Sequence, residues 1–505
     1  MHIDDIKKSL IDSLHTPSED IAREIMTLAT GRPDQVEKAI STGTGLIAYD
    51  LQAPAKNLYP VNTPIIKSLA RVSGGVGTAT NWKQVNSIIG SGFDNTPWVP
   101  EGQRAGQMSY STSNRSATYS TIGEEDQVTY EAISAARGFE DVQATMTMRL
   151  LQKMMLKEEA AVLFGNNSVQ LGTPGVPVSA AAGTSATLPA LTYSVIVVAL
   201  TMEGMRNSSL ANGVATAKTI TGADGKTFVV FGGSSNKSAA ASQVITLGQA
   251  LSVTATAIQG AAGYAWYTGA VGSEKLEKIT TINSATFSAP LMGTGQAATV
   301  VTADCSTNPG AFNGLLTTAL SAGSGAYVNA LATGTAGVGT TLTASGKGSV
   351  NEIDQMMQTM WDTSQVSVDV LYVNSQQIRD ITTKVLSGGS APLLQYYQDP
   401  AKGEYTMSAG GTVEFYYNPY LNKKIPIRVH PNLAPGTIIG WAETLPIQYQ
   451  SNEVPNVAEV KTRRDYYQID WPITTRASMA GVYAEETLAV YAPFAFGCLT
   501  NIAAG

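Results

Sequence analysis

Two glycine-containing motifs have the spacing of phosphate-binding loops. The segment from Gly293 to Ala298, GTGQAA, matches a dinucleotide-binding turn, which a helix must follow directly. The next residues are TVVT, and β-branched residues have a reduced helix propensity. Lys226 follows Gly225 as in a nucleotide-binding loop, but Ile220 stands where that loop requires its first glycine. We therefore predict no cofactor at either motif and a hairpin turn at Gly225.

Residues that act as nucleophiles, bases or metal ligands are few and scattered. The acidic run EED at 124–126 lacks the glycine-spaced ligands of a calcium loop, and we interpret it as a solvated turn. The cysteines form no CxxC pair, and no histidine has the neighbours of a catalytic triad, so a solvated or core role is expected. We predict no cofactor, no metal site and no catalytic residue, and hence not an enzyme. The histidines and cysteines are His2, His15, His430, Cys305 and Cys498.

The chain is long, weakly acidic and poor in charge. Its 505 residues predict two or three domains. Charged residues make up 14% and the formal net charge is -7, which excludes a basic nucleic-acid-binding protein. No stretch of about 18 apolar residues exists and the N-terminus is interrupted by charges, so we predict neither a membrane span nor a signal peptide. Two cysteines without a disulfide framework fit a reducing compartment.

A long amphipathic helix is predicted from Phe139 to Phe164. The stretch lacks Gly and Pro, would be about 39 Å long, and is followed by Gly165 as a stop signal. Glu140 and Asp141 lie in its first turn, where the helix dipole favours acids. The apolar stripe consists of Phe139, Val142, Met146, Leu150, Leu151 and Met154, and the charged residues, Glu158 among them, fall mainly elsewhere.

The segments before this helix do not predict a core of their own. Residues 1–71 are expected to contain two short amphipathic helices and then an extended arm, because Pro54, Pro60 and Pro64 prevent a continuous helix. Residues 72–133 are expected to form an extended β-hairpin loop with a turn at Asn114 and Arg115. This turn would pair Tyr110 with Tyr119. Both hairpin faces are polar, so we expect a neighbouring copy to stabilise it.

An inserted domain is predicted at 173–308, where charge is sparse and short strand-like runs recur. Strands are expected at 191–201, 244–247, 251–258, 263–268, 276–282 and 285–288, with a turn at Glu203 and Gly204 and a hairpin at Asp224 and Gly225. This pattern is typical of a small β-sandwich. The segment from Ala257 to Gly269 resembles the strand-turn-strand passage of fibronectin type III and immunoglobulin-like modules.

The remainder, 309–505, alternates helices and strands. Ser349 and Glu352 have the spacing of a capping box at the start of a helix. A buried strand is expected at 368–373, and Asn374 is expected to cap the helix after it. The whole chain is therefore predicted to be α+β, with residues 134–172 holding the long helix.

The order of these parts resembles the major capsid proteins of tailed bacteriophages with the Hong Kong 97-like fold, which encapsulins share. The resemblance rests on LYPVNTPIIKSL at 58–69, the Gly-rich hairpin, LFGNNS at 163–168, SVNEIDQMMQTMW at 349–361 and VLYVNSQQIRDI at 370–381. It implies an N-terminal arm, an extended loop, a spine helix, and peripheral and axial domains, the axial one at about 385–450. An immunoglobulin-like insertion is similar to those of several phage capsid proteins. Gly74, Gly75 and 90–92 are candidate hinges.

Two departures from the family pattern carry expectations. Some members cross-link through a lysine at the loop tip, but the tip from Glu101 to Ser116 holds Arg104 and Arg115 and no lysine, so cross-linking is not expected. Many members lose a long N-terminal segment, whereas only about 45 residues precede the arm here, and we expect this segment to stay attached.

The resemblance implies a structural protein that self-assembles into pentamers and hexamers of an icosahedral shell around double-stranded DNA. Implied partners are further copies of the chain, portal and scaffold proteins, nearby DNA without sequence-specific binding, and a decoration protein or surface ligand for the insert, with no membrane. The implied location is the virion, after assembly in the bacterial cytoplasm. An encapsulin-like compartment and a soluble enzyme with an accessory β-sandwich remain the alternatives. The expected intersubunit contacts are Trp82, Trp98, Arg104, Tyr110, Arg115 and Tyr119.

Overall fold

The computed structural model describes residues 63–87, 97–106, 111–138, 140–345, 348–387, 395–398, 405–408, 413–452 and 454–505. The helices predicted within 1–45, most of the arm, Phe139, Tyr110 and the glycines at 90–92 lie outside these residues. Helices and strands are mixed along the described chain, as an α+β fold requires.

The elements fall into three successive groups. The first comprises α1 (Pro64–Ser68), β1 (Ala70–Val72), β2 (Ala79–Ser87), β3 (Ser111–Thr118), β4 (Ser120–Thr129), α2 (Tyr130–Ala135) and α3 (Val142–Phe164). The second comprises β5 (Val178–Ala182), β6 (Leu191–Leu200), α4 (Met202–Asn207), β7 (Ala217–Thr221), β8 (Thr227–Phe231), β9 (Ser234–Lys237), β10 (Ala241–Ile245), β11 (Ala250–Thr254), β12 (Gly263–Ala270), β13 (Lys275–Thr280), β14 (Ser284–Phe287) and a 3-10 helix, η1 (Ala298–Val300).

The third comprises α5 (Leu315–Leu320), β15 (Tyr327–Ala330), β16 (Ala344–Ser345), β17 (Ser349–Val350), α6 (Asn351–Ser364), β18 (Val370–Val373), α7 (Ser375–Ser387), β19 (Gln395–Gln398), β20 (Tyr405–Ser408), β21 (Phe415–Asn418), β22 (Lys423–Val429), β23 (Ile438–Trp441), η2 (Ile447–Tyr449), β24 (Ala458–Asp470), β25 (Ala477–Val490), η3 (Pro493–Ala495) and β26 (Phe496–Thr500).

The peripheral sheet, which we define as β1, β24, β25 and β4 in that spatial order, supports the long helix α3. β24 and β25 form a long antiparallel ladder, β4 pairs antiparallel with β25, and β1 runs parallel to β24. The buried side chains of Met146, Leu150 and Met154 pack on alanines and valines of β4 and β25. Burying a side chain of this size stabilises the fold by about 1.5–3 kcal/mol.

The predicted long helix is confirmed, but it begins at Val142. Asp141 is its N-cap, because its Oδ1 accepts hydrogen bonds of 3.1 Å from the amides of Gln143 and Ala144. The helix ends before Gly165, as predicted. Leu151 does not belong to the buried stripe: it is 38% exposed.

The predicted turn at Asn114 and Arg115 is wrong. These residues lie within the continuous strand β3, whose partner is β2, and Arg115 lies opposite Trp82. The same alternation of small polar residues occurs on both sides of position 114, so no hydrophobic face fixes a register in the sequence. After Thr118 the chain leaves β2 and continues as β4 of the peripheral sheet.

Most strands between Val178 and Phe287 form two antiparallel sheets packed face to face, and β7 and β8 form a separate two-stranded hairpin. One has the order β10-β6-β12-β13 with β9 beside β6, and the other has the order β14-β11-β5. Trp266 and Leu251 are fully buried in the core between them. The hairpin at Asp224 and Gly225 is confirmed by β7 and β8, with Gly225 at a φ of 78°. The turn predicted at Glu203 and Gly204 is wrong, because helix α4 occupies these positions.

The chain enters and leaves this sandwich along two adjacent segments. The amide of Leu171 donates to Ser306 Oγ (2.9 Å), and the amide of Gly172 donates to Asp304 Oδ2 (2.8 Å). The Asn166 side chain donates to the carbonyl of Ser306 (2.8 Å). Side-chain and backbone bonds thus tie the two connecting segments together.

A six-stranded sheet has the order β15-β26-β23-β18-β22-β21 and packs against α6 and α7. Strands β21, β22 and β23, which lie in the segment expected to supply the axial domain (about 385–450), share this sheet with β15, β18 and β26. Position 385 lies inside α7. Contacts between residues far apart in sequence therefore decided the grouping, and no local signal marks it.

Two local predictions on helix starts have opposite outcomes. Ser349 and Glu352 do not form a capping box: Ser349 belongs to strand β17 and donates to Asp354 Oδ2 (2.6 Å), while Glu352 accepts from the amide of Thr343 (3.0 Å). Asn374 does accept a hydrogen bond from the amide of Gln376 (2.9 Å), as the N-cap prediction requires.

Candidate assembly surfaces

The described part of the N-terminal arm, residues 63–77, is bound to the rest of the chain by a buried carboxylate. We define these residues as the arm segment. The extended conformation predicted for this segment is wrong at Pro64–Ser68, which form helix α1. Pro64 lies in the first turn of this helix, where proline is well tolerated. Thr63 provides no side-chain cap, and the free amides of Ile65 and Ile66 instead donate to Glu159 Oε1 and Oε2, both at 2.9 Å.

His430 holds the other side of the Glu159 carboxylate. Its Nδ1 accepts a hydrogen bond from the amide of Asn432 (3.2 Å), so the ring proton lies on Nε2, which donates to Glu159 Oε1 (2.8 Å). Both side chains are completely buried. The core role expected for His430 is confirmed, and its function is to complete the partners of a buried acid.

A second buried group, which we define as the arm clasp, contains Arg71, Glu158, Asp465, Tyr466 and Glu486. The Arg71 guanidinium in β1 contacts Glu158, donates to Asp465 Oδ1 (2.5 Å) and donates to Glu486 Oε2 (3.2 Å). It also lies 4.9 Å from the ring centre of Tyr466, whose hydroxyl donates to Glu158. The arm clasp therefore joins β1, α3, β24 and β25 around one cation.

Burial and nearby charge in the arm clasp favour the neutral forms of Glu486 and Tyr466. Burial, together with the neighbouring charge of Glu158, raises the pKa of Glu486 to about 8. The same two causes raise the pKa of Tyr466 above its usual range. The cluster therefore holds one carboxyl group that stays protonated at neutral pH.

Sequence reasoning missed the burial of Glu158 and Glu159. Glu158 was placed with the polar face of the long helix and Glu159 was not singled out, whereas both side chains are fully buried. One signal was available: the next residues are AAVLF, so the last turn of α3 is apolar on all sides. Charged residues beside such a segment are buried with it and require partners.

The hairpin of β2 and β3 is buried only along part of one strand. Val85 is buried and its amide donates to the carbonyl of Tyr491 (2.8 Å), and Trp82 packs on the core while its indole donates to the carbonyl of Val490 (3.0 Å). In β3, by contrast, six of eight residues are exposed and none is buried. One strand of the hairpin thus presents both faces to solvent.

The six predicted contact residues lie in different surroundings. Trp98 is 83% exposed and Arg104 is exposed, while the Arg115 side chain donates to Gln84 Oε1 (2.9 Å). Tyr119 is half-buried, and the Arg463 guanidinium lies 5.9 Å from its ring centre. Trp82 contacts its own chain. The predicted pairing of Tyr110 with Tyr119 depended on the turn at Asn114 and Arg115, and it loses its basis because those residues lie within strand β3. Tyr110 itself lies outside the described residues.

The acidic run at 124–126 is not a solvated turn. It lies in β4 and pairs with β25. The run was misassigned because consecutive acids are typical of loops. Here Glu124 forms ion pairs with Lys153 and Lys157 of α3, the helix that packs on this sheet. The charge is thus balanced by a helix whose position the local sequence does not give.

The two phosphate-loop motifs have structural partners of their own. The amides of Met292 and Gly293 donate to the two carboxylate oxygens of Glu277 (2.8 and 2.7 Å), so an internal acid occupies the loop. Gly225 lies in the turn between β7 and β8.

Within the described ranges no group of three or more His, Cys, Asp or Glu side chains is placed to hold a metal ion. No helix among those residues is long and apolar enough to cross a membrane.

Comparisons with known proteins give structural neighbours only. No protein-family profile matches the chain, and no curated protein matches it. The encapsulin of the holo-SrpI complex from Synechococcus elongatus aligns with a TM-score of 0.37 and 8% identity, over 91% of this chain and 97% of that one. A virus-like particle from Pyrococcus furiosus gives 0.34 and 8%, over 89% and 96%. The capsid of Myoviridae phage XM1 gives 0.36 and 8%, over 87% and 92%. At these values the similarities do not identify a family for the chain.

Proposed function

We propose that the chain is the major capsid protein of a tailed bacteriophage, a subunit that assembles into a closed icosahedral shell around double-stranded DNA. The proposal rests on the order of sequence motifs described above and on one structural observation, the exposure of strand β3. It assigns no catalytic residue, cofactor or metal.

Strand β3 is the observation that supports association. An eight-residue strand with both faces exposed gains little from its own chain, and a two-stranded ribbon is marginal in water. Trp98 and Val99, in the described part of the loop that joins β2 to β3, are 83% and 44% exposed. Large exposed apolar side chains beside a polar ribbon are typical of contact surfaces. A neighbouring copy would cover them and order the hairpin.

The proposed domain assignment follows the motif order. Residues 1–71 are the N-terminal part, 72–133 the extended loop, 134–172 the spine helix, 173–308 an immunoglobulin-like insert on the outer surface, and 309–505 the rest of the peripheral domain with the axial domain. Proposed partners are further copies in pentamers and hexamers, portal and scaffold proteins, DNA without sequence-specific contacts, and a decoration protein or ligand on the insert. Assembly would take place in the host cytoplasm.

The experiment that tests the proposal measures the size of the purified full-length chain. Light scattering and negative-stain electron microscopy are carried out on the chain expressed alone and with a co-expressed scaffold protein. Closed particles or ring-shaped oligomers are expected. A compact monomer under both conditions would contradict the proposal and favour a soluble enzyme with an accessory sandwich.

A second measurement separates the two shell functions. Particles isolated from infected or producing cells are analysed for encapsidated nucleic acid and for co-purifying protein. Nuclease-protected double-stranded DNA is expected for a virion. Particles that lack DNA and contain an enzyme as cargo would instead favour an encapsulin-like compartment.

A further inference from the structure

Loops cover one side of the inserted sandwich. Its two sheets end in β10 and β13 and in β5 and β14, and β13 and β14 lie side by side. At β13 the amide of Leu276 donates to the carbonyl of Gln296 (2.8 Å). At β14 a Cβ atom on Gly337 would lie 2.9 Å from the amide nitrogen of Thr286, so the loop at Gly337 runs directly along the strand backbone. Both strands are therefore protected from pairing with another chain.

The other side of the sandwich, formed by β5 and β10, is open, and we define these two strands as the open edge. Among the described residues β10 pairs with β6 alone and β5 pairs with β11 alone, and the two strands of the open edge lie side by side. Alternate N–H and C=O groups of an edge strand point away from its sheet, and here no further strand of the described chain pairs with them. Val178 in β5 and Val244 in β10 are 69% and 61% exposed.

The open edge carries no charged side chain. Residues 160–202, which include β5, and residues 238–273, which include β10, contain no Asp, Glu, Lys or Arg. By contrast, β13 at the covered side contains Lys275, Glu277 and Lys278. Edge strands are commonly protected against pairing by a charge, a proline or a bulge. Neither strand of the open edge contains any of the three, so both strands are able to pair with a further strand.

The chemistry of β10 fits the same strand of a second copy. Two identical strands that pair antiparallel are related by a two-fold axis, so every contact occurs twice. Pairing that uses all five residues of β10 centres on Gln243 and places Ser242 opposite Val244 of the second copy. Because the strand is uncharged, no like charges oppose each other across the axis. A charged partner strand, in contrast, would find no opposite charge on this edge.

We propose that two copies of the chain associate through β10, so that one sheet of each sandwich joins the other in a continuous antiparallel sheet. Backbone hydrogen bonds between the two β10 strands supply the contact, and the exposed side chain of Val244 is covered by the second copy. Leu247, in the turn after β10, lies beyond the paired residues. The inference concerns the insert alone and does not rest on the shell function.

The first test is disulfide cross-linking of the full-length chain that carries Gln243→Cys. The native Cys305 and Cys498 are buried and do not compete. Paired at the axis, the two introduced cysteines lie about 5 Å apart between Cα atoms, within the range of a disulfide. Under mild oxidation, non-reducing electrophoresis should show mainly cross-linked dimer. Val271→Cys, at a position 66% exposed between β12 and β13, is the control and should give about tenfold less dimer. Equal yields would overturn the proposal.

The second test introduces charges at the exposed positions of β10 in the Gln243→Cys chain. Ser242→Lys with Val244→Lys places lysines directly opposite each other across the axis, and the yield of dimer should fall about tenfold. Ser242→Lys with Val244→Glu places Lys opposite Glu at the same positions, and the yield should be retained. Equal yields from these two variants would overturn the proposal.

The outcomes also separate this inference from the shell function. Particles that form normally while Gln243→Cys gives no dimer above the Val271→Cys control would overturn the pairing of β10 and leave the shell proposal standing. A cross-linked dimer in a chain that forms no particles would support the pairing of β10 and contradict the shell proposal.

Discussion

The inserted sandwich and the arm with its hairpin obtain their free energy of folding in different ways. The sandwich encloses an apolar core between two sheets, with Trp266 fully buried. The arm segment is held by the buried acids Glu158 and Glu159, and β3 has no buried residue. The sandwich therefore depends on contacts within itself. The arm depends on ion pairs and hydrogen bonds. Under the proposed function, the hairpin depends on a neighbouring copy.

The sandwich and the arm segment should therefore differ in their sensitivity to pH. Apolar burial depends little on pH, whereas a buried carboxylate pair responds directly to it. Under the proposed function, substitution of exposed apolar residues in the hairpin loop should affect association and leave the stability of the subunit nearly unchanged.

The largest effect is expected in the sandwich core. Trp266→Ala removes a fully buried side chain and should reduce the free energy of unfolding by about 3–5 kcal/mol, because a cavity adds to the lost burial. Chemical denaturation, with limited proteolysis of the 173–308 region, measures the loss. Leu247→Ala, at a position 84% exposed, is the control and should change it by less than about 0.5 kcal/mol. Equal losses in both variants would contradict a self-contained core.

The next effect is expected at the arm. Glu159→Ala leaves the amides of Ile65 and Ile66 and the His430 ring without an acceptor, and each unsatisfied buried group costs about 1–3 kcal/mol. We expect a total loss of about 3 kcal/mol, the lower end of the sum over these three groups, and faster proteolysis within 63–77. Glu140→Ala, an exposed position before the same helix, is the control. A stable arm in Glu159→Ala would show that the apolar contacts of α1 suffice.

A smaller effect on the subunit, with a separate effect on assembly, is expected at the hairpin tip. Trp98→Ala should leave the free energy of unfolding within about 0.5 kcal/mol, because the side chain is 83% exposed. The yield of particles in light scattering should fall severalfold, while Leu247→Ala, an exposed apolar control on the insert, should assemble normally. Normal assembly of Trp98→Ala would remove this residue from the proposed contacts.

The smallest effect is expected at the surface ion pairs of α3. Lys153→Gln should cost about 0.2–1 kcal/mol, since Lys153 is 61% exposed and Lys157 remains beside Glu124. Burial acts against the ionised form of Glu124, but the two lysines more than offset it and lower its pKa. The contribution should therefore be present at pH 7 and disappear as pH falls through that pKa. Denaturation at pH 7 and pH 3 checks this, with Lys226→Gln as an exposed control.

Local sequence patterns predicted the elements whose signals are self-contained. The long helix α3 and its end at Gly165 followed from an uninterrupted helical stretch, and the hairpin at Gly225 followed from an Asp-Gly turn. The sandwich strands were located by short apolar runs between turns. In each of these elements the hydrogen bonds or the apolar period involve neighbours in the sequence, so the pattern holds the necessary information.

Tertiary structure alone decided the partner of β3, the burial of Glu158 and Glu159, and the sheet that joins β15 and β26 to β21, β22 and β23. A polar strand has no apolar face that would select its partner. A carboxylate on a helix is exposed or buried according to which elements pack against it. The partners of Glu159 come from α1 and from His430, which are 94 and 271 residues away in sequence. Local sequence patterns therefore sufficed for the long helix and for the hairpin at Gly225, and long-range packing determined which polar groups hold the arm segment.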